Sequence, residues 1–269
     1  MQMLLLKRIM KKIKSKKIEY FVEGKNNKFI CLCNGHEYEI TKKSDKFIKV
    51  LGNNNVCFFE TEKIIKKLPK GVSFSINGNN NCIKIKSPNF SSSEIYIRGD
   101  NNKFKLGKTI KTIDGGHFFI ESGGEVCIGD QCELGNSMLW CVVNGDAKGE
   151  HHKLVIGDGT HVAKDAIIRT SDGECLIDKD GKPLSKPQDI IIGKHCWITS
   201  RCIILKGTVL PEGSIVAANS LVNKKFTEKN CLIAGCPAVI KKKDVYWIGD
   251  TYGNVYEKFL EDKKQLKED

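Results

Sequence analysis

Between residues 151 and 174 the chain sets out side chains that move protons. His151 and His152 are adjacent, His161 follows, and the run Thr170-Ser171-Asp172-Gly173-Glu174 ends with two carboxylates one residue apart. Imidazole titrates near neutral pH and suits proton removal from an attacking hydroxyl. A carboxylate does that work only where burial raises its pKa, or it serves by fixing which imidazole nitrogen holds the proton. Metal chemistry has weaker signals. There are 12 cysteines but no C-x-x-C pair, so zinc-knuckle spacing is absent. Asp178-Lys179-Asp180-Gly181 opens like a calcium loop, yet its Gly stands fourth where an EF-hand needs it sixth. No metal site is expected.

The elements that must hold these groups follow a register of six. Ile192, Ile198, Ile204, Leu210, Val216 and Val222 keep the step without a break, and a small residue sits four positions after each of the first five: Cys196, Cys202, Thr208, Ser214, Ser220. Upstream, Ile156, Val162 and Ile168 repeat it with Thr160 and Ala166, and Ile128 and Leu134 repeat it with Cys132. Six fits neither the 3.6 of a helix nor the 2 of a strand. It marks an all-β solenoid of stacked coils, a hexapeptide β-helix whose core is one aliphatic side chain per repeat. The cysteines in the small slots read as buried reduced thiols, in keeping with a cytoplasmic protein.

The N-terminal half repeats differently. GKNNKFICL from Gly24, GNNNVCFFE from Gly52, GNNNCIKIK from Gly78 and GDNNKFKLG from Gly99 each put Gly and tandem Asn before an alternating strand. Both residue types accept positive φ, so each is a tight corner. Stacking would bring Asn26, Asn54, Asn80 and Asn101 into a ladder. The register breaks around 144–153 and again at 171–189, where Asp-Gly pairs and prolines flank a short CLID strand; this reads as a hairpin arm leaving the wall. The organisation is therefore a basic amphipathic helix over 1–19, a β-helix over 20–243, and a C-terminal segment over 244–269 with a short helix.

Net charge is +12, but residues 1–17 alone hold six Lys and Arg8 without an acid. Lysine elsewhere is scattered, with no interleaved aromatic and basic pattern, so nucleic acid is not an expected partner. The N-terminal helix serves either to cap the open end of the solenoid or to touch the inner face of a membrane. Its apolar stretch is too short to span one.

The run DIIIGKHCWITSRCIILKGTVLPEGSIVAANSLVNKKF, followed by CLIAGCPAVIKKK, resembles the hexapeptide-repeat acyltransferases, and most of all the polysaccharide and sugar O-acetyltransferases. The resemblance implies a left-handed parallel β-helix, assembly as a homotrimer with sites between subunits, acetyl-CoA as acyl donor and a glycan acceptor. It implies that Trp197 faces the groove or a subunit interface, and that Thr199, Ala217 and Ala218 line the pantetheine arm. Lys224 and Lys225 would meet the CoA phosphates, unless they are a solvated corner. Gly235, Cys236 and Pro237 would close around the adenine end, with Lys241 beyond.

The resemblance also exposes a departure. Where those enzymes carry TSDGH, with the His as base, this chain has Glu174. Either Glu174 is the base in a tuned pocket, or another histidine has taken the role, or the protein is inactive. His161, one coil before Asp172 and beside the small Thr160, is the preferred substitute, with Asp172 orienting it. His151 and His152, reaching across a trimer interface, come next, and His195 reads as structural. The expected function is O-acetylation of a glycan sugar. An amino-sugar N-acetyltransferase, which needs the base less, and a non-catalytic binding protein are the alternatives.

Overall fold

The computed structural model describes residues 20–248, apart from 41–47, 61–71, 87–89, 92, 109–112, 115, 122, 135–138 and 145–150. These residues form a three-walled prism. Wall one stacks nine parallel strands: Tyr20–Glu23, Ile48–Leu51, Val72–Asn77, Ser93–Arg98, Gly116–Glu121, Leu139–Asn144, Ile167–Arg169, Ile203–Leu205 and Leu221–Val222. Wall two stacks parallel strands from Lys28–Cys33 to Val209–Leu210. Wall three is built from Glu133–Leu134, His161–Val162, Trp197–Ile198, Ile215–Val216 and Leu232–Gly235. Each coil visits the walls in that order, so the nine wall-one strands number nine coils. The corners between walls one and two, two and three, and three and one are called first, second and third.

The register of six is the core of the later coils. Ile192, Ile198, Ile204, Leu210, Val216 and Val222 are all buried to 1% exposure or less. The small slots Thr160, Cys196, Cys202, Thr208 and Ser214 are fully buried beside them. Burial pushes the thiols of Cys132 and Cys196 up to about 11, which removes them as nucleophiles near neutral pH. In the earlier coils longer strands carry larger side chains. Phe59 meets Phe74 edge-on at 6.1 Å, and Phe104 meets Phe118 at 5.1 Å.

The first corner of coils one to four is held by asparagine. Asn26, Asn54, Asn80 and Asn101 all take positive φ, between 56° and 60°. The expected ladder is present through its first three members: Asn26 Nδ2 donates to Asn54 Oδ1 at 3.0 Å, and Asn54 Nδ2 to Asn80 Oδ1 at 3.1 Å. A second ladder, not anticipated from the sequence, runs inside it through Asn27, Asn55, Asn81 and Asn102. Asn55, Asn81 and Asn102 are exposed by 2%, 1% and 0%. The glycines before them are forced. A Cβ on Gly52 would sit 2.1 Å from the carbonyl oxygen of Gly78, and its φ is +116°.

At each end of the stack one wall finishes on a reversed strand. His36–Glu39 runs antiparallel to Lys28–Cys33 and is exposed along its length. Ala238–Lys242 runs antiparallel to Leu232–Gly235. Residues 171–189 leave the first corner of coil seven as the expected arm. Its Ile177 and Pro183 form an antiparallel bridge, and Asp178 Oδ1 accepts the N–H groups of Asp180 and Lys182 at 2.9 Å. The helices expected at 1–19 and near the C-terminus lie outside the described residues. Among the described residues no helix is long and apolar enough to cross a membrane.

The buried ladder sets a stability test. Asn81 Nδ2 donates to Asn55 Oδ1 (2.9 Å) and to the Gly99 carbonyl (3.1 Å), and its Oδ1 accepts from Asn102 N (2.9 Å) and Nδ2 (3.0 Å). Asn81→Ala strands partners on both sides in a water-free place. It should cost about 3 kcal/mol, read as a lowered urea midpoint.

Candidate functional site

The asparagine ladder ends where Gly124 N–H donates to Asn102 Oδ1 at 2.9 Å. From coil six onward the first corner is made of other residues: His151 and His152, then the arm, then Lys206 and Gly207, then Lys224 and Lys225. Three buried side-chain polar atoms have no hydrogen-bond partner among the described residues: His152 Nε2, Arg169 Nε and Ser171 Oγ. All three belong to the first corner of coils six and seven. Such atoms are rare in folded chains, and their gathering at one corner marks it as the candidate site.

A cleft of about 510 Å3 opens there, lined by His151, His152, Gln188, Asp189, Ile191 and Lys225 among others. His151 is committed, its Nδ1 lying 2.7 Å from the Gly123 carbonyl, which requires a proton on Nδ1. His152 Nδ1 lies 3.5 Å from Asp189 Oδ1, and the imidazole is 14% exposed. The same Oδ1 accepts the Lys153 N–H at 3.0 Å, which fixes the carboxylate. A carboxylate beside Nδ1 favours the proton there and leaves Nε2 as the basic nitrogen. Among the described contacts, this is the first-corner imidazole with a carboxylate at its back and its other nitrogen uncommitted.

Asp172 stands at the foot of the arm. Its Oδ2 accepts from Lys206 Nζ and, at 2.7 Å, from Ser185 Oγ, while Arg169 Nη2 donates to its carbonyl at 2.9 Å. The hydrogen bond from Lys206, then that from Ser185, holds the carboxyl below the usual carboxylate range. It is a fixed anion that ties the arm down. The carboxylate beside a first-corner histidine is Asp189 rather than Asp172. Glu174 is exposed on the arm.

The remaining sequence candidates lie on other faces. His161 and Trp197 are Cα partners on wall three, across the prism from the first corner, so a single chain does not bring His161 to Glu174. His161 Nδ1 lies 3.5 Å from Glu133 Oε2. Trp247, which sequence reasoning does not single out, covers this group. Its ring stacks on His195 at 4.4 Å, meets His161 edge-on at 4.8 Å and lies 5.8 Å from Trp197. His195 is thereby structural, its carbonyl accepting the Trp247 indole N–H at 2.8 Å.

Thr199, Ala217, Ala218, Gly235, Cys236 and Pro237 gather at the third corner of coils seven to nine. Thr199 N–H and Ala217 N–H are used in coil stacking, donating to Val216 and Ile233 carbonyls. Lys241 is exposed on the closing strand. Lys224 and Lys225 are at the first corner instead, with Lys224 Nζ 5.4 Å from the Phe226 ring. Among the described residues no cluster of His, Cys, Asp and Glu could hold a metal ion.

The Asp172 tie gives a titration test. A carboxyl depressed on folding stabilises the arm above the ordinary carboxylate range and loses that contribution as pH falls through its lowered value. In Lys206→Met the Asp172 carboxyl, followed by NMR, should titrate at a higher pH than in the parent.

No family model matches the chain. It is 29% identical over 133 residues to the polysialic acid O-acetyltransferase of Escherichia coli O1:K1, covering 49% of this chain and 41% of that one. It is also 29% identical over 190 residues to the polysialic acid O-acetyltransferase of Neisseria meningitidis, covering 65% of this chain and 88% of the relative. The chain spans about half the length of the first curated relatives it matches, at 41%, 58% and 50%. Among solved structures it is similar to the polysialic-acid-specific acetyltransferase NeuO, with a TM-score of 0.51 and 20% identity over 95% of this chain and 100% of that one. The fold is the left-handed parallel β-helix of such enzymes, and in sequence the chain resembles hexapeptide-repeat acyltransferases of the polysaccharide O-acetylating kind.

Proposed function

We propose that the protein transfers an acetyl group from acetyl-CoA to a hydroxyl of a polysaccharide sugar. The observation that carries this reading is the His152–Asp189 pair, which lines a cleft and leaves the buried His152 Nε2 unpartnered, with two further unpartnered polar atoms, Arg169 Nε and Ser171 Oγ, at the same corner. The matched relatives named as polysialic acid O-acetyltransferases support the acceptor class. In the reaction a sugar hydroxyl attacks the thioester carbonyl, and His152, its ring turning the buried Nε2 to the cleft, takes the proton as the new C–O bond forms. The C–S bond breaks, the proton returns to the sulfur, and the products are the acetyl ester and CoA. Asp189 steadies the imidazolium between these steps. Lys225, lining the same cleft, supplies positive charge for the donor's phosphates.

The third corner fits the pantetheine arm. Thr199, Ala217, Ala218 and Gly235 carry small side chains at successive coils, which leaves the backbone approachable. In one chain that corner and the first corner are separated by wall one. A closed cyclic homotrimer joins a third-corner edge to the neighbour's first-corner cleft and arm. Leu176, Ile177 and Leu184, exposed by 54%, 58% and 64%, give the arm an apolar face for that contact. The basic stretch 1–17 supports a cytoplasmic assembly that meets the inner face of the membrane when not capping the stack.

His152→Ala should lower acceptor-dependent release of CoA by roughly 10²–10⁴-fold. If that variant keeps full turnover, the base lies elsewhere, and comparison of His161→Ala with Glu174→Gln locates it. Preferential turnover of amino sugars would replace the hydroxyl acceptor with an amine. Light scattering should give three times the 30.1 kDa chain mass; a monomer at micromolar concentration contradicts the shared site.

A further inference from the structure

A second cavity lies on the far side of wall two from the cleft. It holds about 250 Å3 at the second corner of coils three to seven. Its floor is a column of stacked glycines, Gly107, Gly129 and Gly157, where no side chain rises. The glycines are required by the stack, since a Cβ on Gly107 would sit 2.4 Å from the Gly129 carbonyl oxygen. The result is a channel running along the coil axis. Lys86 and Lys105 stand on it, Asp130 and Asp158 edge it, and Val155 gives it an apolar side.

The charges around the channel are unevenly paired. Asp130 and Asp158 are engaged by the stack, accepting the backbone N–H of Lys108 and of Asp130, and Asp158 also pairs with Lys194 at 2.9 Å. Lys86, Lys103 and Lys105 make no ion pair among the described residues, and Lys84 pairs only with Glu60 at a loose 3.7 Å. Lys84 and Lys105 are direct Cα partners in adjacent coils. Like charges facing each other in register cost stability, and an anion held against Lys105 lowers that cost. The channel and the cleft approach each other on the outer face of wall two. Val155, which lines the channel, is the Cα partner of Ile191, which lines the cleft, so the two lie about one strand spacing of 4.8 Å apart across wall two.

We propose that this glycine-floored channel is a subsite for an acidic sugar of the acceptor polymer. A sugar carboxylate meets Lys86 and Lys105, its ring lies against Val155, and its hydroxyls donate to Asp130 and Asp158. The next sugars of the chain cross wall two to the His152 cleft. The acceptor is thus a polyanionic glycan held at two places, a reading that rests on the acetyl-transfer function above.

The test uses the full chain with oligomers of polysialic acid and polygalacturonate, and dextran oligomers of equal length as the neutral control. Calorimetry should show the acidic oligomers binding and dextran binding at least tenfold more weakly. The Lys86→Met/Lys105→Met double variant should lose tenfold or more in affinity for the acidic oligomers at an unchanged melting temperature, and raise KM for an acidic acceptor without changing kcat. Equal binding of dextran, no binding of either acidic oligomer, or a folded double variant that binds them as the parent does would overturn the subsite. Lysine-dependent binding with no CoA release on any acceptor would instead overturn the transfer reaction and leave the channel standing.

Discussion

Everything in this molecule depends on each coil repeating the height and direction of the one beneath it. Strands only two to six residues long cannot set a register by themselves, so the corners must do so. In the early coils the corner is set by tandem asparagines: the outer ones bend the backbone through positive φ, and the inner side chains donate to the coil below and accept from the coil above. In the later coils it is set by small buried side chains such as Thr160, whose hydroxyl donates to the Gly193 carbonyl and accepts from Cys196 N–H. Both devices satisfy buried backbone groups that a bend would otherwise strand. The core contributes burial, and the corners supply uniqueness.

This division explains where the candidate site falls. The asparagine ladder ends at Gly124, and the small-residue corners replace it. The first corner of coil six lies at that change and carries two histidines, and that of coil seven opens into the arm. A corner no longer occupied by its own ladder is where side chains can be spent on another molecule. The three unpartnered polar atoms lie there, and the Asp172–Lys206 pair anchors the foot of the arm beside them. The candidate site thus lies where repetition fails, on a scaffold made rigid by repetition on either side.

Much of the fold is legible in the sequence because a period of six has few structural solutions. The register residues from Ile128 to Val222 are buried as the pattern requires, and the arm at 171–189 emerges where the pattern breaks. The inner ladder of Asn27, Asn55, Asn81 and Asn102 escapes a sequence reading because tandem asparagines look alike, and only the backbone decides which faces inward. The site is half legible. Motif resemblance points to Glu174 and Asp172, but the partner of a histidine is set by stacking rather than by sequence distance. Asp189 is 37 residues beyond His152, counting from their numbers, yet lies one coil away. Steps of three hexapeptides align Asp189 with Gly207 and Lys225, a column that residue numbers alone reveal. His161 looks close to Glu174 because both lie near Asp172 in sequence, whereas the prism puts wall three opposite the first corner. Trp247 carries no signal at all, since nothing in the local sequence says that a tryptophan beyond the last coil folds back over His195.

The two reversed strands at the ends have a further meaning. A stack of identical parallel coils is in effect a one-chain fibril, and each open end is a template on which another copy could continue. His36–Glu39 and Ala238–Lys242 turn the chain direction at those ends. An arriving coil in the parallel sense finds a partner with the wrong polarity and, at the C-terminal end, the charges of Lys241 and Lys242. Charged, reversed edges of this kind are how sheet proteins refuse addition. Among the described residues, one wall at each end of the solenoid therefore refuses a further parallel coil.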